Sequence, residues 1–355
     1  GGTDTVTVSN SLSTKSIEFW VYPNTTTQNL IDLRTAATAA SISVSSGTIS
    51  ATGFTSPTIY VNGIVSSTLV ANVWQQITIA TGTAITANAI QFGRISSTSL
   101  TGKLDSIRIF DYARTPAQVA WDYNKGAPVA RYKFDECQGS TINDASGNGN
   151  AGTITIGASG TQTAVGTCTT SGAWFGGATG KYNSSLNFDG TDDQVKVTAP
   201  SILPSAAQPF TSSLWFKSTS STSNLYLMQW GAQSANHMSS LIYQGATNSF
   251  SHAFYSNDLN SGTNTVTNGA WNHVVATFDG TTRRLYVNGI LKNSDSPASV
   301  NVTANQDLYI GCAFTTAATA YFPGQIDDAR IYNYALTGTQ VKMLFNENSS
   351  VRFGP

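Results

Sequence analysis

The 355-residue sequence predicts an all-β protein built from two β-sandwich domains in tandem, each closed by a short helix. Three observations predict this class: short stretches in which apolar and polar residues alternate, Asn-Gly and Asp-Gly pairs between such stretches, and an internal repeat. Alternation with period two is typical of strands that bury one face. Many short strands separated by turn residues indicate a sandwich of two antiparallel sheets.

An internal repeat divides the chain. Residues 101–115 (TGKLDSIRIFDYART) recur as residues 323–337 (PGQIDDARIYNYALT), with Gly, Asp, Arg, Ile, Tyr, Ala and Thr in the same places. Self-similarity of this kind indicates two homologous units in one chain. We therefore predict a first domain over residues 1–125 and a second domain over residues 126–355.

The strands are identified by alternation and by the turns between them. Residues 17–21 (IEFWV) and 285–287 (LYV) place apolar side chains at alternate positions. The pairs Asn62-Gly63 and Asn288-Gly289 predict tight hairpins, because Asn-Gly readily adopts the positive φ angles of a type I′ turn.

Two segments predict helices. Thr115 and Thr337 suit the N-cap position, and Pro116 suits the first helical turn. We therefore expect helices over residues 116–123 and 338–346, one at the end of each domain.

The composition excludes several classes of partner. Charged residues make up 10% of the chain, and 18 basic against 19 acidic residues leave a net charge of −1. Because nucleic-acid binding needs clustered Lys and Arg, we predict no nucleic-acid partner. No apolar stretch approaches the roughly 20 residues that span a bilayer, which predicts no membrane span.

Three cysteines bear on the compartment. Cys137 and Cys168 lie within one domain, and a disulfide between them would suit an oxidising compartment. The alternative is that these two and Cys312 are unrelated buried thiols. Their separation gives no zinc-binding spacing.

The second domain resembles the laminin-G-like family of concanavalin A-like jelly-roll domains. Six segments carry the resemblance in the expected order: residues 131–136 (RYKFDE), 144–150 (DASGNGN), 186–193 (LNFDGTDD), 271–275 (WNHVV), 286–289 (YVNG) and 324–336. The resemblance implies two stacked antiparallel sheets, a frequent calcium site, and binding of carbohydrate or protein at cell surfaces. With the internal repeat, it predicts two tandem concanavalin A-like jelly-roll domains.

The first domain departs from this pattern. It has no counterpart to residues 131–150, so we expect it to lack its first strand. Its motif YVNG, at 60–63, precedes Trp74, whereas Trp271 precedes the second copy of the motif. Either equivalent strands are connected in a different order, or the motif is a recurrent hairpin without homology.

A missing edge strand leaves backbone groups unpaired. We therefore predict that an upstream segment or a neighbouring subunit completes the first domain, which includes self-association through its open edge. No signal peptide precedes Gly1, so the expectation is a processed terminus or the start of a fragment.

Oxygen-rich side chains predict a structural calcium site in the second domain. The predicted ligands are carboxylates and amides from the 144–150 turn and from the closing strand: Asp144, Asn148, Asn150, Asp327 and Asp328. Calcium takes six to eight oxygen ligands, usually from loops. The alternative is that Asp144 and Asn148 make only side-chain-to-backbone turn bonds.

Aromatic residues in polar stretches are the candidate sugar contacts: Trp230, Tyr255, Tyr321 and Phe322. Such a contact needs an exposed ring beside hydrogen-bonding groups. The competing interpretation for each residue is packing in the core or between domains.

Catalysis is predicted to be absent. Retaining glycosidases use a pair of carboxylates, but Glu18, Glu136 and Glu347 are scattered. The adjacent pairs Asp192-Asp193 and Asp327-Asp328 are expected to point to opposite faces of a strand. No nucleophile or phosphate-loop motif is present.

These observations predict a non-catalytic protein, extracellular or at the cell surface, that binds a glycan or a surface protein and aids adhesion. The alternative is a structural subunit of a surface filament, sheath or layer. A third interpretation is a pair of accessory domains from a larger enzyme.

Overall fold

A computed structural model describes residues 6–34, 39–314 and 318–347. The chain divides into two compact units, Gly1–Gly126 and Ala127–Pro355. Each unit has its own hydrophobic core.

The first unit has two main antiparallel sheets. Its elements are β1 (Val6–Val8), β2 (Leu12–Pro23), β3 (Gln28–Arg34), β4 (Ala39–Ser45), β5 (Thr48–Thr52), β6 (Thr58–Val61), β7 (Ile64–Val65), β8 (Gln75–Ala87), β9 (Ala89–Phe92), β10 (Arg94–Ile95), β11 (Thr98–Ser99), β12 (Gly102–Phe110) and α1 (Pro116–Asn124). One sheet has the order β1-β9-β3-β4-β5 and the other β12-β2-β8-β6-β7.

The second unit repeats this plan with additional strands. Its elements are β13 (Ala130–Tyr132), β14 (Thr141–Ile142), β15 (Gly152–Thr155), α2 (Ala173–Gly176), β16 (Leu186–Asp189), β17 (Gln194–Val197), β18 (Phe210–Lys217), β19 (Leu225–Gly231), β20 (Met238–Gln244), a 3-10 turn (Gly245–Thr247), β21 (Ser249–Ala253), β22 (Asp258–Asn260), β23 (Asn272–Phe278), β24 (Arg283–Val287), β25 (Ile290–Asp295), β26 (Leu308–Ile310), β27 (Ala313–Phe314), β28 (Ala318–Thr319), β29 (Pro323–Tyr332) and α3 (Gly338–Phe345). One sheet has the order β13-β29-β18-β23-β24-β25, with β16 also paired to β29; the other has the order β14-β15-β17-β26-β19-β20-β21-β22.

The closing strands of the two units share an irregularity. The register of β12 against β2 shifts between Asp105 and Arg108, and that of β29 against β18 shifts at the matching place. Ser106 and Asp328 occupy the same repeat position and have φ angles of 49° and 47°. A β-bulge is a specific local feature, and the two closing strands share it as well as their sequence.

Both closing helices begin with the same cap. Thr115 accepts a hydrogen bond from the backbone N–H of Gln118, whose side chain accepts one from the N–H of Thr115. Thr337 and Gln340 form the same reciprocal pair. The capping box satisfies backbone donors that a helix start leaves free, and the two predicted helices are confirmed.

The Asn-Gly hairpins occupy equivalent places but are connected differently. In each unit the hairpin strand lies beside the strand that follows Trp74 or Trp271: β6 pairs with β8, and β24 pairs with β23. The hairpin precedes that strand along the chain in the first unit and follows it in the second. Of the two interpretations of the YVNG motif, the structure therefore shows the altered connection.

The all-β class and sandwich architecture predicted from the sequence are confirmed. Within the described ranges, no helix is long and apolar enough to cross a membrane.

Candidate functional site

A row of polar side chains crosses the outer face of one sheet in the second unit. Lys196 pairs with Tyr309, Tyr309 with Gln229, and Gln229 with Ser240, across β17, β26, β19 and β20. The strand neighbours of Lys196, Tyr309 and Gln229 belong to the hydrophobic core, as does Leu241 beside Ser240. Because side chains alternate along a strand, these four face away from the core.

A cavity of about 310 Å³ opens on this row. Its lining residues are mostly amides and aromatic rings: Gln229, Gly231, Ala232, Gln233, Gln306, Asp307, Tyr309 and Phe314. The rings of Tyr309 and Phe314 are stacked, with centroids 4.5 Å apart and an interplanar angle of 5°. Phe314 is half-buried at the rim, whereas Tyr309 is buried.

One wall of the cavity is held by a charged pair. Lys196 Nζ lies 2.8 Å from Asp307 Oδ2, and the Tyr309 hydroxyl donates to the same oxygen at 3.1 Å. Burial raises the pKa of Asp307, but its hydrogen bonds with Lys196 and with the Ala199 N–H outweigh this and hold the pKa below its usual range. The pair fixes Tyr309 and leaves the two charges balanced.

Two buried oxygens on the row lack a hydrogen-bond partner among the described residues. Gln229 donates its amide N–H to the Phe314 carbonyl at 2.7 Å, but its carbonyl oxygen accepts nothing. The Ser240 hydroxyl is likewise unpaired. A buried polar atom without a partner costs about 1–3 kcal/mol.

The four predicted sugar contacts separate into two groups. Trp230 and Phe322 are 1% and 0% exposed, and both pack inside the core. Their assignment to a ligand site is corrected, because a buried ring presents no face to a ligand. Tyr255 and Tyr321 are half-buried, and neither lines the cavity.

The predicted calcium ligands from the 144–150 turn are occupied by hydrogen bonds. Asp144 Oδ1 accepts from the N–H groups of Arg131 and Ser146, and its Oδ2 accepts from the backbone and side chain of Asn150. Asn148 donates to the Val129 carbonyl at 2.9 Å. These contacts favour the turn-bond interpretation of Asp144 and Asn148.

The two aspartates of the closing strand differ in their partners. Both oxygens of Asp328 contact guanidinium groups, from Arg131 at 2.9 Å and from Arg330. A carboxylate used in this way has no free oxygen for calcium, which corrects its assignment as a metal ligand. Asp327 Oδ2 accepts from the Tyr182 N–H at 2.8 Å, and its buried Oδ1 has no partner in the described part of the chain.

A different acidic cluster lies at the end of β16 and in the loop that follows it. Asp189, Asp192 and Asp193 each offer a carboxylate oxygen within 4.8 Å of the others. Asp193 is fully buried, and Oδ1 of both Asp192 and Asp193 lacks a partner among the described residues. Burial raises the pKa of Asp193 to about 6, and the charges of Asp189 and Asp192 add to this rise.

Cys137 and Cys168 form a disulfide in the structure, and Cys312 is a buried free thiol. Among the two interpretations of the cysteines, the pairing is therefore the one observed. Disulfides of this kind are typical of oxidising compartments.

Neither the cavity nor the acidic cluster was predicted from the sequence. Gln229, Tyr309 and Phe314 are distant in sequence and meet only because β26 pairs with β19. The segment DGTDD at 189–193 did contain a usable signal, since three carboxylates within five residues of a Gly-containing loop can converge.

Comparison with known proteins finds a family similar to part of the second unit. Residues 189–342 match a family described as the Concanavalin A-like lectin/glucanases superfamily. The match supports the predicted resemblance for this unit and covers no part of the first unit. A search of curated proteins found no match.

Solved structures similar to the chain include binding domains. Domain 4 of a GH43 extracellular arabinanase from Geobacillus stearothermophilus, in complex with arabinotriose, is 27% identical, with a TM-score of 0.46, covering 61% of this chain and 98% of that chain. The binding domain of botulinum neurotoxin serotype D is 12% identical, with a TM-score of 0.43, over 62% of this chain and 52% of that chain. A Ruminococcus gnavus sialidase CBM40 bound to α2,3 sialyllactose is 15% identical, with a TM-score of 0.36, over 39% and 84%.

The arabinanase structure bears on the prediction that the protein is not an enzyme. The arabinanase structure is a domain of a named enzyme. This finding contradicts the prediction, which is wrong. A shortage of glutamate excludes one pair of catalytic carboxylates, but it does not show whether a sandwich domain belongs to a catalytic polypeptide.

Proposed function

We propose that the protein is an extracellular recognition protein whose second unit binds carbohydrate in the cavity beside Tyr309 and Phe314. The first unit is, in this proposal, a second copy of the same jelly roll with an altered connection. The proposal rests on one observation above the others: the cavity combines the stacked rings of Tyr309 and Phe314 with three glutamine side chains.

The lining of the cavity matches both the apolar and the polar surfaces of a sugar ring. Sugar rings have apolar C–H faces, which pack on aromatic side chains, and hydroxyl groups, which donate to and accept from amides. Phe314 at the rim offers the apolar contact, and Gln229, Gln233 and Gln306 offer the amides. Because Lys196 neutralises Asp307, the site favours a neutral sugar over a charged one.

Removing the aromatic rim should weaken binding. An array of neutral and acidic oligosaccharides identifies the best-bound sugar, and calorimetry then measures its Kd for the purified chain. We expect Phe314→Ala to raise this Kd at least tenfold, equivalent to about 1.4 kcal/mol. Phe175→Ala is the matched control, since Phe175 is 55% exposed and does not line the cavity. Equal affinity in wild type and Phe314→Ala would exclude this cavity as the site.

We also propose that calcium is the cation of the second unit and that Asp189, Asp192 and Asp193 hold it. Calcium prefers carboxylate oxygens on loops, and this cluster supplies three carboxylates with two buried, unpaired oxygens. A bound cation would remove the repulsion among the three charges and so stabilise the loop.

Calcium should raise the thermal stability of the wild type and leave Asp193→Asn unaffected. A ligand at a hundred times its Kd stabilises the folded state by about 2.7 kcal/mol. The measurement is the Tm with calcium chloride and with chelator. Asp144→Asn is the control, and it should keep the full response. A response lost in Asp144→Asn and kept in Asp193→Asn would instead favour the site predicted from the sequence.

A further inference from the structure

Two aromatic rings lie together on the outer face of a sheet in the first unit. Tyr22 lies in β2, and Trp74 comes directly before β8, the strand that pairs with β2. The centroids of the two rings are 5.8 Å apart. Because Val21, the neighbour of Tyr22, belongs to the core of the first unit, Tyr22 points away from that core. Tyr22 is half-buried and Trp74 is 42% exposed, so a ligand can reach both rings.

The loop that carries Trp74 is held in place by hydrogen bonds. The Asn72 N–H donates to the Pro23 carbonyl at 2.7 Å, which joins the loop to the end of β2. The Val70 N–H donates to Gln75 Oε1 at 2.7 Å, which joins the loop to the start of β8. A loop that is already ordered loses little entropy on binding, so these bonds favour a preformed site.

The second unit shows which aromatic contacts of the first unit are structural. In the first unit, Trp20 stacks on Tyr123 of α1, with ring centroids 5.9 Å apart. In the second unit, Trp215 stacks on Phe345 of α3, with centroids 5.5 Å apart. Each of these contacts packs a closing helix on its sheet, and its presence in both units indicates a structural role.

The contact between Tyr22 and Trp74 is not repeated in the second unit. Lys217 follows Trp215 by two residues, as Tyr22 follows Trp20, so Lys217 stands in place of the tyrosine. Trp271 comes directly before β23, as Trp74 comes directly before β8. The fold therefore forms without a ring at the position of Tyr22, and the aromatic pair is a property of the first unit alone.

The accessibility of the two rings does not depend on the edge of β12. In the second unit, β13 and β16 both pair with the closing strand β29, yet Lys217 and Trp271 remain half-buried. In the first unit, β2 lies between β12 and β8 in the sheet. A strand beside β12 would therefore leave Tyr22 and Trp74 open to a ligand.

From this internal comparison, we infer that Tyr22 and Trp74 form a second carbohydrate site, which binds a neutral polysaccharide. The rings supply surfaces for the C–H faces of a sugar, and the exposed amide of Asn72, two residues before Trp74, supplies hydrogen bonds. Lys103 lies over the Tyr22 ring, with its ammonium 5.7 Å from the centroid, and Asp105 shares its face of β12. These opposite charges favour a ligand without net charge.

The size of the site favours a sugar over a protein. A Tyr or Trp side chain can bury about 150–250 Å², so the exposed parts of these two rings offer at most about 200 Å². One side of a specific protein interface buries about 800 Å². The inference concerns the first unit and does not depend on the cavity in the second.

The test uses the full-length chain with Phe314→Ala, which removes the aromatic rim of the cavity in the second unit. Native gels that contain a soluble polysaccharide measure binding as retarded migration. The neutral probes are arabinan, galactomannan, xyloglucan and mixed-linkage β-glucan, and polygalacturonate is the acidic probe. We expect a neutral polysaccharide to retard this chain, and we expect the addition of Trp74→Ala to weaken the apparent affinity by roughly tenfold or more.

Two further variants separate the loss of a ring from the loss of the fold. Tyr22→Lys introduces the residue that the second unit has at this position, so the fold accommodates it, and binding should weaken as in Trp74→Ala. Trp121→Ala is the matched control, because Trp121 is 40% exposed in the same unit and lies on α1. It should leave binding unchanged. The Tm of each variant shows whether it folds.

Loss of neutral-polysaccharide binding in Trp74→Ala and Tyr22→Lys, with binding kept in Trp121→Ala, would support the inference. Three results would overturn it: no retardation by any neutral probe, equal retardation with and without Trp74→Ala, or retardation by polygalacturonate alone. Because every chain carries Phe314→Ala, these results do not depend on whether the cavity binds sugar.

Light scattering tests the remaining occupant, a second copy of the chain. A dimer that forms in the wild type and is lost in Trp74→Ala, without binding of any polysaccharide, would overturn the inference. That outcome would support the alternative function, a structural subunit of a surface assembly, which remains a prediction.

Discussion

Asp328→Asn should destabilise the protein by about 3 kcal/mol, because Arg131 and Arg330 in the second unit lose their buried counter-charge and keep only the more exposed Glu347 as an acidic partner. Asp328 is 4% exposed and contacts Arg131 through Oδ1 and Arg330 through Oδ2. Burial by itself raises the pKa of Asp328, but the two arginines outweigh it and hold the pKa below its usual range. Asparagine tolerates the φ of 47° at this bulge, so the effect reports the lost charge and not backbone strain.

Chemical unfolding at neutral pH measures this difference. Asp279→Asn is the matched control: Asp279 forms an ion pair with Arg284 at 2.7 Å, but both side chains are more than a third exposed. Exposed pairs contribute at most about 1 kcal/mol, and an asparagine oxygen can still accept from the Thr281 and Thr282 N–H groups, so the control should change stability less than Asp328→Asn does. A carboxyl with a lowered pKa stabilises the fold above its unfolded pKa and loses that contribution as pH falls. The difference between wild type and Asp328→Asn should therefore shrink in acid, and similar losses in Asp328→Asn and the control would refute the buried-pair argument.

Local signals in the sequence predicted much of this fold. The capping residues Thr115 and Thr337 and the Asn-Gly turns act over a few residues, so their structural consequence can be recognised without knowing the rest of the chain. The repeat in residues 101–115 and 323–337 predicted equivalent strands for the same reason. The altered connection of the β6–β7 hairpin was visible as an inverted order of motifs, but only the sheet order could show that the hairpins occupy equivalent places.

The candidate sites depended on non-local register and on bulges. A bulge between Tyr226 and Met228 changes which residues of β19 face inward, and this places Trp230 in the core and Gln229 on the outer face. Counting alternate positions from the sequence cannot detect such a shift.

The prediction that adjacent aspartates point to opposite faces of a strand was wrong for a related reason. Asp327 and Asp328 lie at a bulge, and Asp192 and Asp193 lie in a loop before β17. In neither place does the simple rule of opposite faces apply. The chemistry of both pairs therefore depends on which neighbours the fold brings to them.

Asp327→Asn should have the opposite effect to Asp328→Asn. It should stabilise the protein relative to the wild type, and this stabilisation should increase as the pH rises. Burial raises the pKa of Asp327 to about 8, the N–H of Tyr182 opposes this, and the charges of Asp328 and Asp135 add to it. Between the ordinary aspartate pKa near 4 and this value, the folded protein holds a proton that the unfolded chain has released. Stability therefore falls by about 1.4 kcal/mol for each pH unit in that window.

The variant lacks this proton, so its stability should not show the part of the fall with pH that Asp327 causes. Asparagine keeps a carbonyl oxygen to accept from the Tyr182 N–H, so the native hydrogen bond can remain. We expect the stability of Asp327→Asn minus that of wild type to increase by roughly 2–3 kcal/mol between pH 5 and pH 7. Taking this difference cancels the other titrating groups that the two proteins share. A difference that stays constant over this range would mean that Asp327 ionises normally in the fold, and that the adjacent positive charges reach both members of the pair.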